Sequence, residues 1–184
     1  LRRSSAASDV YKRQVWYIPA SREKGSHLAM KELLIAEGIV VLIINGEGYH
    51  LYYPNKHREI FKTDTLSEDL GIFYKNNKLH KYPLVITGKL CISRGATITS
   101  MYMFISYCVL PDMSNKDSLY QLAGRVCGNT KMWGNYEQVT IICNTKTRDK
   151  LFKMEGKVVS LLEKNKKFDN CTFEDFEMIN SVSN

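Results

Sequence analysis

Apolar and polar positions change period several times along this chain. Residues 15 to 20 (VWYIPA) read as a strand closed by Pro19. A helix is predicted over 27 to 37, where Met30, Leu33, Leu34 and Glu37 keep helical spacing, with Ser26 as its cap and Gly38 as its stop. Residues 39 to 44 (IVVLII) are continuously apolar and mostly β-branched, which predicts a strand covered on both faces. Asn45, Gly46 and Gly48 predict a turn, and residues 49 to 53 (YHLYY) a short additional strand. Thr65-Leu66-Ser67-Glu68 fits a capping box opening a helix to about Lys75. Further strands are predicted at 83 to 88 (PLVITG), 103 to 110 (MFISYCVL) and 137 to 143 (EQVTIIC).

Between the last two, Leu119, Leu122, Ala123 and Val126 stand at i, i+3, i+4 and i+7, predicting an amphipathic helix over 117 to 127. A longer helix is predicted over 146 to 164, with Leu151, Met154, Val158, Leu161 and Leu162 on one face. Thr172 to Ile179 reads as a terminal helix or a frayed tail. Five buried strands alternating with four helices predict an α/β fold with a mostly parallel sheet covered on both sides.

At 184 residues the expectation is one globular domain, and no run approaches the ~18 apolar residues of a membrane span. Five cysteines, at 91, 108, 127, 143 and 171, form an odd set without C-x-x-C spacing, which argues against a disulfide framework and a zinc site. The formal charge is +7, of which +3 belongs to residues 1 to 14 (LRRSSAASDVYKRQ) and +4 to the remainder. Those fourteen residues lack any period and resemble a translated linker scar, with an Arg- and Ser-rich presequence as the alternative, and they are set aside as a non-native or disordered leader. The domain itself is placed at 15 to 165, with 166 to 184 as a C-terminal extension. A charge of +4 favours a polyanionic partner.

Two stretches carry candidate chemistry. In the first, a buried strand runs into Thr87-Gly88-Lys89 and then Ser93-Arg94-Gly95-Ala96-Thr97. Ligands of open parallel sheets sit beyond the carboxyl ends of strands, where glycine permits close backbone approach to a phosphate and Thr, Lys and Arg supply donors. An ordinary strand-to-helix turn with surface charges is the plainer alternative. In the second, Gln121 and Arg125 lie four apart on one helix face, away from the apolar stripe, with Gly124 beside them. The planar guanidinium of Arg125 suits a phosphate, while a Ser118-x-x-Gln121 capping box with a solvated Arg is the alternative.

A strand ending in Thr-Gly, then Ser-Arg-Gly, then a strand, then a helix with Gln-x-x-Gly-Arg together resemble motifs V and VI of superfamily 2 helicases, in the second RecA-like domain. VWYIPAS followed by a helix and a buried strand is similar to the opening of that domain, where motif IV lies. The resemblance spans Val15 to Arg148 and rests on order and spacing, closest in style to viral, phage and mobile-element helicases. It implies a RecA-like three-layer sandwich with a mainly parallel central sheet. It implies nucleic-acid backbone contacts from Thr87, Gly88, Lys89 and Arg94, and nucleotide contacts from Gly95, Thr97 and Gly124. Arg125 then matches the arginine finger and Gln121 the catalytic glutamine. Leu122, Cys127 and Gly128 depart from the motif VI pattern at its first Arg, second Gly and last Arg.

No Gly-x-x-x-x-Gly-Lys-[Ser/Thr] and no strand-terminal Asp-Glu pair occurs, so ATP and Mg²⁺ are expected on a partner N-terminal RecA-like lobe of the same protein, with this lobe inactive alone. His27, His50, His57 and His80 have no ligand spacing, and no metal site is expected. Tyr49, Tyr52 and Tyr53 at strand spacing suit packing, with base stacking as the alternative. The resulting expectation is the C-terminal motor lobe of an ATP-dependent helicase or translocase acting on single-stranded DNA or RNA. It is expected off the membrane, in cytoplasm or nucleus or associated with a virus. The alternative is a non-catalytic nucleic-acid-binding or interaction module with degenerate motifs.

Overall fold

A strand as apolar as residues 39 to 44 has to be hidden on both sides, and β2 (Val40–Asn45) is buried from Val40 to Ile44. The structure, a computed structural model, describes residues 14–19, 24–45, 48–55, 58–61, 66–88, 98, 102–127 and 138–165. Around β2 lie β1 (Val15–Tyr17), β3 (Gly48–Tyr52), β4 (Arg58–Phe61), β5 (Leu84–Gly88), β6 (Tyr107–Val109) and β7 (Thr140–Ile142). The helices are α1 (Lys24–Ala36), α2 (Leu66–Asn76), α3 (Lys116–Cys127) and α4 (Thr145–Asn165), with one 3₁₀ turn at Leu79–Lys81.

All seven strands form one sheet in the order β4-β3-β2-β5-β1-β6-β7. From β2 to β7 every pairing is parallel, while β3 and β4 add antiparallel strands at one edge. The fold is therefore α/β with a mainly parallel sheet, compatible with a RecA-like sandwich. The short additional strand expected at 49 to 53 is present, and β4 is a strand the sequence did not announce. YHLYY pairs with β2 as β3, turning near Gly48 at a φ of +123°, and β4, which has little apolar signal of its own, continues the meander. Nor is β7 buried, since Thr140 and Ile142 on this edge strand are exposed.

Register assigns side chains to the two faces. Tyr17 pairs with Ile86, and Ile86 with Leu42, so these share a face with Val15, Val40, Ile44 and Leu84. That face forms the main core with Leu70 and Phe73 of α2 and Leu119, Leu122 and Val126 of α3. Tyr49 belongs to it through its ring contact with Phe73, 5.6 Å between centroids, which is the packing role expected of this tyrosine. Tyr53 meets Tyr82 edge-on, and Lys31 stands 4.8 Å above the Tyr52 ring. The opposite face carries Val41, Ile43, Val85 and Thr87, and α1 packs on β2 and β5 there. Further along this face Trp16 stacks on Tyr107, 4.3 Å between ring centroids.

Helix ends follow local hydrogen bonding. Gly38, at φ +78°, closes α1 as predicted: Ile39 N–H donates to the Leu34 carbonyl and Gly38 N–H to the Ile35 carbonyl, both at 3.0 Å. Ser26 is not the cap, because α1 begins at Lys24 and places Ser26 in its first turn. Leu33 departs from the expected apolar face and is 72% exposed, the buried side turning through His27 and half-buried Met30, Lys31 and Leu34. α3 and α4 are capped by Asn115, whose Oδ1 accepts from Ser118 N–H at 2.9 Å, and Asn144, whose Oδ1 accepts from Thr147 N–H at 2.7 Å. The Ser118 capping box is thus replaced by an Asn cap three residues earlier. Thr65 and the segment 172 to 179 lie outside the described residues.

Candidate functional site

Thr87 and Gly88 finish β5 at the carboxyl edge of the sheet, paired with Ile43 and Ile44 of β2. A β-carbon on Gly88 would stand 2.5 Å from the Ile44 carbonyl oxygen and 3.3 Å from its Cβ, so this glycine is required by the approach of two strands. Packing accounts for Gly88 without a phosphate. Thr87 is 0% exposed, and among the described residues its Oγ1 has no hydrogen-bond partner. On this register the hydroxyl lies on the α1 side of the sheet, enclosed, and does not present itself at the edge. An orphaned buried hydroxyl costs on the order of 1–3 kcal/mol. Lys89, Arg94, Gly95 and Thr97 lie outside the described residues.

The second stretch lies on α3, on the main-core face of the sheet. Ile98, the residue after Thr97, is fully buried in the main core, and its N–H donates to the Arg125 carbonyl at 3.4 Å. Arg125 is half-buried near the end of α3, off the buried stripe of Leu119, Leu122, Ala123 and Val126. Its guanidinium lies near enough to Tyr17, the last residue of β1, to favour ionisation of that phenol. Burial acts the other way and dominates, with the Cys108 thiol adding to it, so the Tyr17 hydroxyl is held well above its ordinary pKa. β1 lies beside β5, so Arg125 acts on the strand next to the one that ends in Thr87 and Gly88.

Gln121 and Gly124 are exposed on α3, and a β-carbon on Gly124 would meet nothing within 4 Å. Leu122, where the motif VI pattern has its first arginine, is instead 1% exposed in the core. The side chains of Arg125 and Gln121 are a cationic fork and an amide, groups that suit a phosphoryl oxygen, whereas the described residues build no cradle for a triphosphate. Among them no group of three or more His, Cys, Asp or Glu could hold a metal ion, and no helix is long and apolar enough to cross a membrane. His27 and His50 are buried between secondary-structure elements, His80 is exposed, and Cys108, Cys127 and Cys143 are free thiols.

One feature of this edge went unread at the level of sequence: a groove between α3 and α4 lined by Lys116, Lys146, Lys150, Lys153 and Lys157. The last four stand at i, i+4, i+7 and i+11, a spacing visible in the sequence but overshadowed by the apolar stripe of the same helix. No family model, no curated protein and no solved structure matches the chain.

Proposed function

We propose that this chain is the C-terminal motor lobe of an ATP-dependent nucleic-acid helicase or translocase. The observation that supports the reading is the bond from Ile98 to Arg125, which ties the end of the segment resembling motif V to the helix resembling motif VI. In this reading ATP and Mg²⁺ are held by a partner N-terminal lobe, and Arg125 supplies a cation to the charge that develops on the transferred phosphoryl group. Gln121, four residues earlier on the same face, positions polar groups around it. Gly124 leaves space for the partner lobe to approach the α3 backbone, and Gly95 and Thr97 serve the nucleotide. Because the Thr87 hydroxyl is enclosed, contact with a single DNA or RNA strand falls to the backbone of the turn at Gly88 and to Lys89 and Arg94.

A second reading, a nucleic-acid-binding module without catalysis, is favoured by one observation: the motif position of the first arginine has become core Leu122. The two readings separate in the full-length protein. Arginine fingers are worth roughly 10³ to 10⁵ in rate, so Arg125→Ala should cost well over tenfold in ATP turnover while the fold, checked by circular dichroism, persists. Turnover within twofold of wild type would leave the module.

A further inference from the structure

We propose that the groove between α3 and α4 binds the sugar-phosphate backbone of a nucleic acid, as a surface separate from the Thr87 to Lys89 turn. It has a volume of about 540 Å³. Lys116 lines it from the first residue of α3, and Lys146, Lys150, Lys153 and Lys157 line it from α4, with Met154 among them. Spacing of i, i+4, i+7 and i+11 lays the α4 lysines in one stripe ~16 Å long, at ~1.5 Å per residue.

Two carboxylates temper this charge, Asp112 by pairing with two of the groove lysines and Asp149 with Arg148 as its own partner. Asp112 holds Lys150 at 2.8 Å and Lys146 at 3.4 Å, and Asp149 holds Arg148 at 3.0 Å. Lys150 also donates to the Met113 carbonyl at 2.7 Å and is only 17% exposed, so it serves the fold. Lys116, Lys146, Lys153 and Lys157 line the groove beside it, Lys146 sharing Asp112 with Lys150. Both helices also begin here, so the positive ends of two helix dipoles add to the same field.

Position extends the argument. α3 and α4 follow the carboxyl ends of β6 and β7, so the groove opens on the edge that also carries Gly88. Three strand steps separate β5 from β7, roughly 14 Å at ~4.8 Å per step. A strand rising ~3.4 Å per nucleotide crosses that distance in about four nucleotides. Rows of lysine ammonium groups act as point charges, which suits repeated phosphates read without regard to base. An acidic protein segment would need fewer and less regular cations.

The test is titration of the 184-residue chain against a labelled oligothymidylate across a salt series, for wild type and for the combined variant Lys116→Gln, Lys146→Gln, Lys153→Gln and Lys157→Gln, with Lys150 retained. Affinity at low salt should fall at least tenfold. The slope of log affinity against log salt should shrink by about 2 to 3, at ~0.7 per single-strand phosphate contact removed. No wild-type binding, or an unchanged slope in the variant, would overturn the proposal. So would polyglutamate occupying the groove while oligothymidylate leaves it open. Lysine acetylation of the wild-type chain, read by mass spectrometry, guards against a variant that misfolds: the oligonucleotide should protect the groove lysines and spare Lys78 and Lys81, which precede β5 at the opposite sheet edge. Uniform labelling would count against the groove. The inference does not rest on the motor reading, since binding here without any ATP turnover by the full-length protein leaves it standing.

Discussion

Gly88, the last residue of β5, lies so close to Ile44 of the neighbouring parallel strand β2 that a β-carbon on Gly88 would reach within 2.5 Å of the Ile44 carbonyl oxygen. The obstacle is backbone inside a sheet, which cannot swing aside like the tip of a side chain.

Gly88→Ala should therefore destabilise the domain by about 1–3 kcal/mol, the usual range for overpacking, even though glycine-to-alanine exchange inside a strand otherwise lowers the unfolded-state entropy. Urea unfolding reads this as a lower midpoint with an unchanged slope. A midpoint equal to wild type would mean that β2 and β5 are not packed as described.

Gly124 is the counterexample on the same edge. Nothing stands within 4 Å of a β-carbon there, and the residue is inside α3. Gly124→Ala should stabilise the isolated domain by about 0.5–1 kcal/mol, a rise of a few degrees in Tm. In the full-length protein the same methyl should lower ATP turnover if another lobe approaches the α3 backbone. A stabilised domain with unaltered turnover would remove Gly124 from the site.

Tyr17 and Cys108 make stability fall on the alkaline side. Burial raises the Cys108 thiol from 9.0 to about 12, with the Cys127 and Cys143 thiols contributing, and raises the Tyr17 phenol above its ordinary 10.0. The folded state thus keeps protons that the unfolded chain releases from about pH 9 upward, so the unfolding free energy declines through that range while neutral pH leaves it intact. Among the described residues the Tyr17 hydroxyl has no hydrogen-bond partner, so Tyr17→Phe removes one of these groups without breaking a bond to them. At pH 7 the variant should be as stable as wild type or more so, and above pH 9 its midpoint should fall less steeply. Equal steepness would assign the alkaline loss to other groups.

Much of this was legible from local pattern. Leu119, Leu122, Ala123 and Val126 announce α3 because a helix forms its hydrogen bonds within itself, so its period appears in consecutive residues. The β-branched run of β2 and the glycine stop of α1 are equally local. Arg125 stands apart from the apolar stripe in the sequence and stands off the buried face in the fold.

Other features depended on partners distant in the chain. β4 shows little alternation and exists because β3 offers it an edge, and the position of β5 between β2 and β1 is a matter of non-local pairing. The enclosure of Thr87 follows from register against Ile43 and from α1 lying over that face. Gly88 reads in the sequence as an accommodation to phosphate, and the structure supplies a separate reason in Ile44, since a glycine in sequence shows that space is short without showing what occupies it. Sequence by itself determined the helices and the apolar strands of the parallel sheet, because their periods depend on neighbours a few residues away. Tertiary structure alone decided which strands meet, which polar groups are sealed in and which lysines converge, because each of those depends on atoms brought together from distant parts of the chain.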